Sequence, residues 1–224
     1  MPDEPCRCGC VNTFSTKDAE GDLRRYRKQG PDGTTRALIE AIRAEGIEGA
    51  SLLDIGGGIG AIQLELLAAG LGRSWSVDAS QAYVAVAREE ATRRGFAERA
   101  SHRYGTLADV QAEVDAADVV TLDRVVCCSS DLPALLGTAV DRARRMVGLV
   151  YPRPTWWNRV AARVMNAFGW ITRDPTRWHL HPEEEIRDIL RRAGFERREI
   201  DRSFIWQVAL YVRPEGQTSV SPSG

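Results

Sequence analysis

The strongest chemical signal in the chain is Leu52-Leu53-Asp54-Ile55-Gly56-Gly57-Gly58-Ile59-Gly60. An apolar run passes into glycines, and a helical pattern starts at the last of them. Glycine is needed where a turn is tight and where a ligand lies against bare backbone. The helix that follows offers unpaired N–H groups at its start. Two ligand classes use such a turn. A pyrophosphate is seated by Gly-x-Gly-x-x-Gly; here the glycines stand at 56, 58 and 60, with Ala61 in the last place of that pattern, a replacement that dinucleotide sites accept. Asp54 shifts the balance. A carboxylate two residues before the loop repels a pyrophosphate and suits a ligand that carries an ammonium and a sulfonium.

Other polar residues fall where such a ligand would need them. Asp78 ends a second apolar run in Ser76-Val77-Asp78-Ala79-Ser80. A carboxylate there accepts two hydrogen bonds from ribose hydroxyls; its competing use, capping the next helix, suits Ser80 better. Asp123 and Arg124 follow the apolar run Val119-Val120-Thr121-Leu122, with Cys127 and Cys128 just beyond. Tyr26 and Arg27, in the basic run 24–28, could meet a ligand carboxylate or form a solvated helix face. Residues 152–182 contain Trp156, Trp157, Phe168, Trp170 and Trp178. Such an insertion forms a lid over a flat, apolar acceptor or completes the core. Arg153, Arg177, His179 and His181 are its polar groups. His179 is the candidate base; His181, before Pro182, is a candidate helix cap. Cys6, Cys8 and Cys10 alternate near the N-terminus; three thiolates spaced one apart strain a tetrahedral site, so no metal is expected.

The elements that must carry these residues alternate. Residues 1–34 read as an arm with one helix at 18–28, and a helix over 35–44 is capped by Thr34 or Thr35. Strands are expected at 51–55, 74–77, 102–104, 117–122 and 146–151, and helices at 60–69, 80–94 and 131–145. Strands separated by helices of this length imply right-handed crossovers and a parallel sheet. A helix over 157–168, another over 183–192 and a hairpin of 195–200 with 204–212 complete the pattern, and 214–224 reads as a disordered tail. The domain proper is thus 35–213.

The segment Leu52 to Gly60 resembles the first motif of class I S-adenosylmethionine-dependent methyltransferases, a hydrophobic pair, Asp, a hydrophobic residue and Gly-x-Gly-x-Gly, and matches it throughout. The resemblance implies an α/β Rossmann-like methyltransferase fold: a mostly parallel seven-stranded sheet flanked by helices, with a C-terminal antiparallel hairpin. It also implies that Asp54 and the backbone of Gly56, Gly57, Gly58 and Gly60 hold the methionine portion of S-adenosylmethionine. Asp78 and Ala79 then take the ribose, Asp123 and Arg124 lie beside the methyl group, and Tyr26 with Arg27 close over the methionine carboxylate. Where the family usually has Gly-Asp after the third strand, for the adenine amino group, this chain has Gly105-Thr106; Thr106 or the backbone at Leu107 takes that place. Within the class, residues 119–128 are similar to magnesium-protoporphyrin O-methyltransferases, in which a His-Tyr pair stands where Cys127 and Cys128 stand here. That departure argues against a porphyrin. The Asn/Asp-Pro-Pro-aromatic stretch of nucleobase amino-methylating enzymes is missing, as are the extra carboxylates of metal-dependent catechol-type enzymes. His181-Pro182-Glu183-Glu184-Glu185-Ile186 and Ala193-Gly194-Phe195 resemble a C-terminal stretch of small-molecule methyltransferases.

Composition agrees with one globular domain. The 224 residues carry 30 basic and 31 acidic side chains, a formal net charge of −1. No global field draws the chain to nucleic acid or to a membrane. The acidic start, Met1-Pro2-Asp3-Glu4, lacks the apolar run of a secretory signal, so the expected location is cytoplasmic. The expected activity is methyl transfer from S-adenosylmethionine to a small-molecule acceptor. The competing readings are a nicotinamide oxidoreductase and a non-catalytic S-adenosylmethionine-binding module.

Overall fold

The computed structural model describes residues 15–172 and 177–214. Seven strands form one sheet in the order β3-β2-β1-β4-β5-β7-β6. β1 (Ser51–Ile55), β2 (Arg73–Asp78), β3 (Ala100–Tyr104), β4 (Ala117–Asp123) and β5 (Ala143–Pro152) run parallel. β6 (Glu196–Arg202) and β7 (Trp206–Val212) form the C-terminal hairpin, with β7 antiparallel to β5. This is the expected Rossmann-like methyltransferase architecture.

The sheet is dry on both faces because its central strands alternate two apolar sets. Leu52, Val119, Met146 and Val208 face α2 (Gly33–Ala44) and α3 (Ala61–Ala68) through Leu38, Ile42, Ile62 and Leu66. Leu53, Val120, Val147 and Ala209 point the other way, toward α6 (Leu132–Asp141) and α8 (Glu183–Arg192) through Leu136, Val140, Ile186 and Leu190. Side chains alternate along a strand, so neighbouring residues serve opposite layers. Between β2 and β3 lies α4 (Gln81–Arg93), capped by Ser80. On its outer side packs α1 (Thr16–Gln29), which buries Ala19, Leu23 and Tyr26 against Leu64, Tyr83 and Val86. The described part of the arm is therefore docked on the domain. Cys6, Cys8, Cys10 and residues 215–224 lie outside the described residues.

Several local expectations change. The cap of α2 is Asp32, not Thr34 or Thr35; its Oδ1 accepts from both of their backbone N–H groups. A short helix, α5 (Leu107–Val110), follows β3; Thr106 and Asp109 form its capping box. The helix of 152–182 is longer than expected, α7 (Trp156–Thr172), and it buries small and polar residues, Asn158, Ala162 and Gly169. Trp156, Phe168 and Trp170 point outward. They do not complete the core.

Candidate functional site

β1 delivers its glycines to the carboxyl edge of the sheet, where three of them hold left-handed backbone: Gly56 at φ 66°, Gly58 at 55° and Gly60 at 79°. A methyl group added at Gly56 would lie 2.2 Å from Cγ2 of Val125, and one at Gly57 2.2 Å from Oγ of Ser76. The turn is thus closed to side chains on its inner side, and bare backbone faces the space beyond. Gly56 donates its N–H to the Val77 carbonyl at 2.7 Å, tying the loop to β2. Gly60 caps α3 without a side chain and stands behind the loop.

Asp54 sits beneath this turn, fully buried, and accepts a 2.6 Å hydrogen bond from the Thr121 hydroxyl. Burial pushes its carboxyl up to about 7 despite that bond, and the charges of Asp123 and Asp78 push in the same direction. On β2, the two oxygens of Asp78 accept the backbone N–H groups of Gly58 at 2.9 Å and Ser80 at 2.8 Å. Each keeps a further lone pair. Burial still holds this carboxyl above its ordinary range. Asp78 therefore does both jobs at once: it braces the glycine turn and faces the open space beside Ala79.

After β3, Gly105, Thr106 and Leu107 form the next wall. The Thr106 hydroxyl is committed to Asp109, at 2.6 Å, so the helix cap is its main work. At the end of β4, Asp123 is mostly buried, and burial raises its carboxyl. Its Oδ2 takes a 2.5 Å bond from the Thr35 hydroxyl, whereas Oδ1 accepts no hydrogen bond among the described residues; Nε of Arg124 stands 3.8 Å away. Arg124 adopts φ 62°, the single non-glycine residue with positive φ among those described. Such backbone persists only where the surroundings enforce it. Here Nη2 reaches Asp32 at 2.6 Å and the Thr34 hydroxyl at 2.7 Å, with the guanidinium over the Trp206 ring. The turn after β4 thereby clamps the start of α2.

These walls enclose one cavity of about 510 Å³, within the range of small-molecule sites. Asp54, Gly56, Gly57, Gly58, Asp78, Ala79, Thr106, Leu107, Asp123, Arg124 and Tyr26 all line it. Three sequence candidates do not: Gly60, which stands behind the turn at the start of α3, Arg27 and His179. Arg27 turns to the far side of α1 and holds the buried Glu90 at 2.6 Å, with Arg93 on the same carboxylate. One residue after an inward-facing Tyr26, a helix has turned about 100°. His179 also lies outside the lining; its backbone N–H binds the Cys127 carbonyl and its ring stacks on His181, 6.2 Å away. Burial and then the neighbouring His181 lower its pKa. His181 is no helix cap either: its Nε2 contacts the Ser129 carbonyl at 2.9 Å. No described residue of 152–182 lines the cavity.

The structure adds lining residues that the sequence did not single out. Asp22 and Arg25 come from α1, paired at 2.8 Å, and Asp32 and Thr35 from the cap and first turn of α2. The residues at 22 and 25 share a face with Tyr26 at helical spacing, a signal that was legible. On the opposite wall are Ser129, Asp131, Ala134 and Leu135. Among the described residues no group of acids, histidines and cysteines could hold a metal ion.

A glycine turn at the carboxyl edge, an acid at the end of each of three adjacent strands and the order 3-2-1-4-5-7-6 define a Rossmann-like nucleotide-cofactor enzyme. The family model of the methyltransferase domain matches residues 23–200, most of the chain. The chain belongs to that family and is an S-adenosylmethionine-dependent methyltransferase of class I. No curated protein matches it in sequence.

Solved structures share the fold. One similar structure is magnesium protoporphyrin IX methyltransferase from Synechocystis PCC 6803 with bound SAH, at a TM-score of 0.67 and 20% identity over 88% of this chain and 95% of that one. An O-methyltransferase family protein from Burkholderia thailandensis gives 0.65 and 18% over 91% and 62%. Human N-acetylserotonin methyltransferase in complex with SAM gives 0.61 and 16% over 89% and 56%.

Proposed function

We propose that this cavity binds S-adenosylmethionine along the glycine turn and presents its methyl group to a small-molecule acceptor at the Asp123 side. The observation that carries this is the charge of the lining. Asp22, Asp32, Asp54, Asp78, Asp123 and Asp131 face two guanidiniums, Arg25 and Arg124, each already paired with one of those acids. Such a surface favours a cationic ligand and disfavours a pyrophosphate, which counts against a nicotinamide cofactor.

The residues fit the cofactor in order. Asp78 has lone pairs left for ribose hydroxyls, and Ala79 leaves room beside it. Leu107 with its neighbours Gly105 and Thr106 supplies an apolar slot and backbone groups for adenine. The bare peptides at Gly56, Gly57 and Gly58, above Asp54, suit the methionine end, with Tyr26 and Arg25 on the arm side. The bound cofactor supplies an electrophilic methyl on sulfur; the chain aligns the acceptor with it. Asp123, whose Oδ1 accepts no hydrogen bond among the described residues and whose pKa burial raises, is the group we assign to take a proton from a protonated acceptor. His179 has no such place.

Turnover tests the proposal. The protein, S-adenosylmethionine and a panel of phenols, carboxylic acids and amines should release S-adenosylhomocysteine with at least one acceptor, and Asp123→Asn should lower that rate by tenfold or more for a protonated acceptor. Tight cofactor binding without turnover on any acceptor would mark a non-catalytic module.

A further inference from the structure

The helix α7 is inside out. Its protein side consists of Asn158, Ala162, Asn166 and Gly169. Asn158 donates to the carbonyls of Arg153 and Ile205 at 2.8 and 3.0 Å, and Asn166 exchanges two hydrogen bonds with the Trp178 backbone at 2.8 and 2.9 Å. Those clips fix the helix in one rotation, and that rotation turns its apolar stripe to the outside. Trp156, Val160, Val164, Phe168 and Ile171 recur every four or three residues, one continuous face. They are 72%, 49%, 63%, 65% and 71% exposed. Phe204 and Ile205, in the turn between β6 and β7, extend the stripe, with Phe204 stacked on Trp157 at 5.1 Å. A patch this large and continuous on a folded domain marks a contact surface.

Charge selects the occupant. The 17 residues of α7 contain Arg159 and Arg163 and no carboxylate. Both arginines are exposed and make no ion pair among the described residues. They lie on one flank of the stripe, beside the outward Trp170. An apolar face rich in Trp and Phe, edged by cations that make no ion pair among the described residues, matches a helix lying in a lipid headgroup layer. A second copy seated stripe on stripe would set arginines near arginines with no acid on the helix to offset them.

We propose that α7, with the 204–205 turn, docks the protein on an anionic membrane surface. The near-zero net charge of the whole chain conceals this because the cations are local to one flank. The inward side of the same helix leads toward the cavity: Asn166 holds the Trp178 backbone, Trp178 packs against Trp206 at 6.2 Å, and Trp206 lies under Arg124. No helix among the described residues is long and apolar enough to cross a bilayer, so the mode is peripheral.

Vesicle flotation of the full chain tests this without turnover, so its outcome is independent of the methyl-transfer proposal. Two lipid mixtures serve, phosphatidylcholine alone and phosphatidylcholine with phosphatidylglycerol. We expect flotation with the anionic vesicles, weakening as salt rises. Val164→Asp with Phe168→Ser should abolish it, and Arg159→Gln or Arg163→Gln should each lower partitioning about fivefold. All four positions are exposed, and circular dichroism with calorimetry of S-adenosylhomocysteine checks that fold and cavity persist. Protein that stays unbound with both mixtures overturns the proposal. So does equal binding to the neutral mixture, or a dimer in light scattering that Val164→Asp dissociates while no vesicle binding occurs.

Discussion

Replacing Asp54 with Asn isolates the electrostatics of the glycine turn. Asn keeps the shape and still accepts the Thr121 hydroxyl through its Oδ1. In the wild-type protein the carboxyl sits at about 7 against an ordinary value of 3.8, raised chiefly by burial. A folded-state pKa above the unfolded one means that ionisation opposes folding. The penalty is absent below pH 3.8, grows as pH rises toward 7 and is then constant. The interval corresponds to about 4 kcal/mol, an upper bound where water enters the cavity. The Asn variant has no such penalty, so its thermal midpoint should match wild type near pH 4 and exceed it at pH 8. Binding should move the opposite way. The amino end of S-adenosylhomocysteine is a cation that favours the ionised carboxylate, so wild-type affinity should rise from pH 5.5 to 7.5, and the variant should bind weakly with a flat profile. Calorimetry at four pH values and differential scanning fluorimetry of both proteins measure this. A wild-type affinity that falls with pH, or a variant that binds as tightly as wild type at pH 7.5, would refute the reasoning.

Other perturbations follow from the same geometry. Asp78→Ala removes both the proposed ribose acceptor and the brace on Gly58; S-adenosylhomocysteine affinity should fall by tenfold or more in calorimetry, since bonds to a charged group are worth about 1.5–3 kcal/mol. Gly56→Ala forces a methyl against Val125 at a positive φ; a loss of about 1–3 kcal/mol in urea denaturation is expected. Glu90 carries a fully enclosed carboxylate held by Arg27 and Arg93 and depressed to about 2. Its contribution is present above pH 4.5 and lost as pH falls through 2, so Glu90→Gln should cost about 2 kcal/mol at pH 7 and little near pH 2, read from urea melts.

The sheet and the heart of the cavity were legible in sequence because both are local signals. An apolar strand that runs into glycines with an acid beneath them specifies a turn and a site within nine residues. Asp78 was found for the same reason, at the end of the next apolar run. Other features depend on packing that no spacing reveals. Tyr26 and Arg27 are adjacent, yet α1 sends one to the cavity and the other to Glu90. His179 had suitable chemistry but is fixed by its backbone to Cys127, outside the lining. Thr106-x-x-Asp109 is a capping signature, and in a sequence without the family's Gly-Asp it competes with an adenine contact for the same threonine. The aromatics of 156–170 announce a dry face without saying what dries it. Only the inward Asn158 and Asn166 show that the face points away from the protein.

Parallel titration with two ligands tests the central electrostatic claim. The same protein preparation is titrated with S-adenosylhomocysteine and with NADH at pH 7.5. We expect one molecule of the sulfur nucleoside to bind per chain and no heat from the dinucleotide. Saturable NADH binding, with none for S-adenosylhomocysteine, would contradict the assignment of the acid-lined cavity.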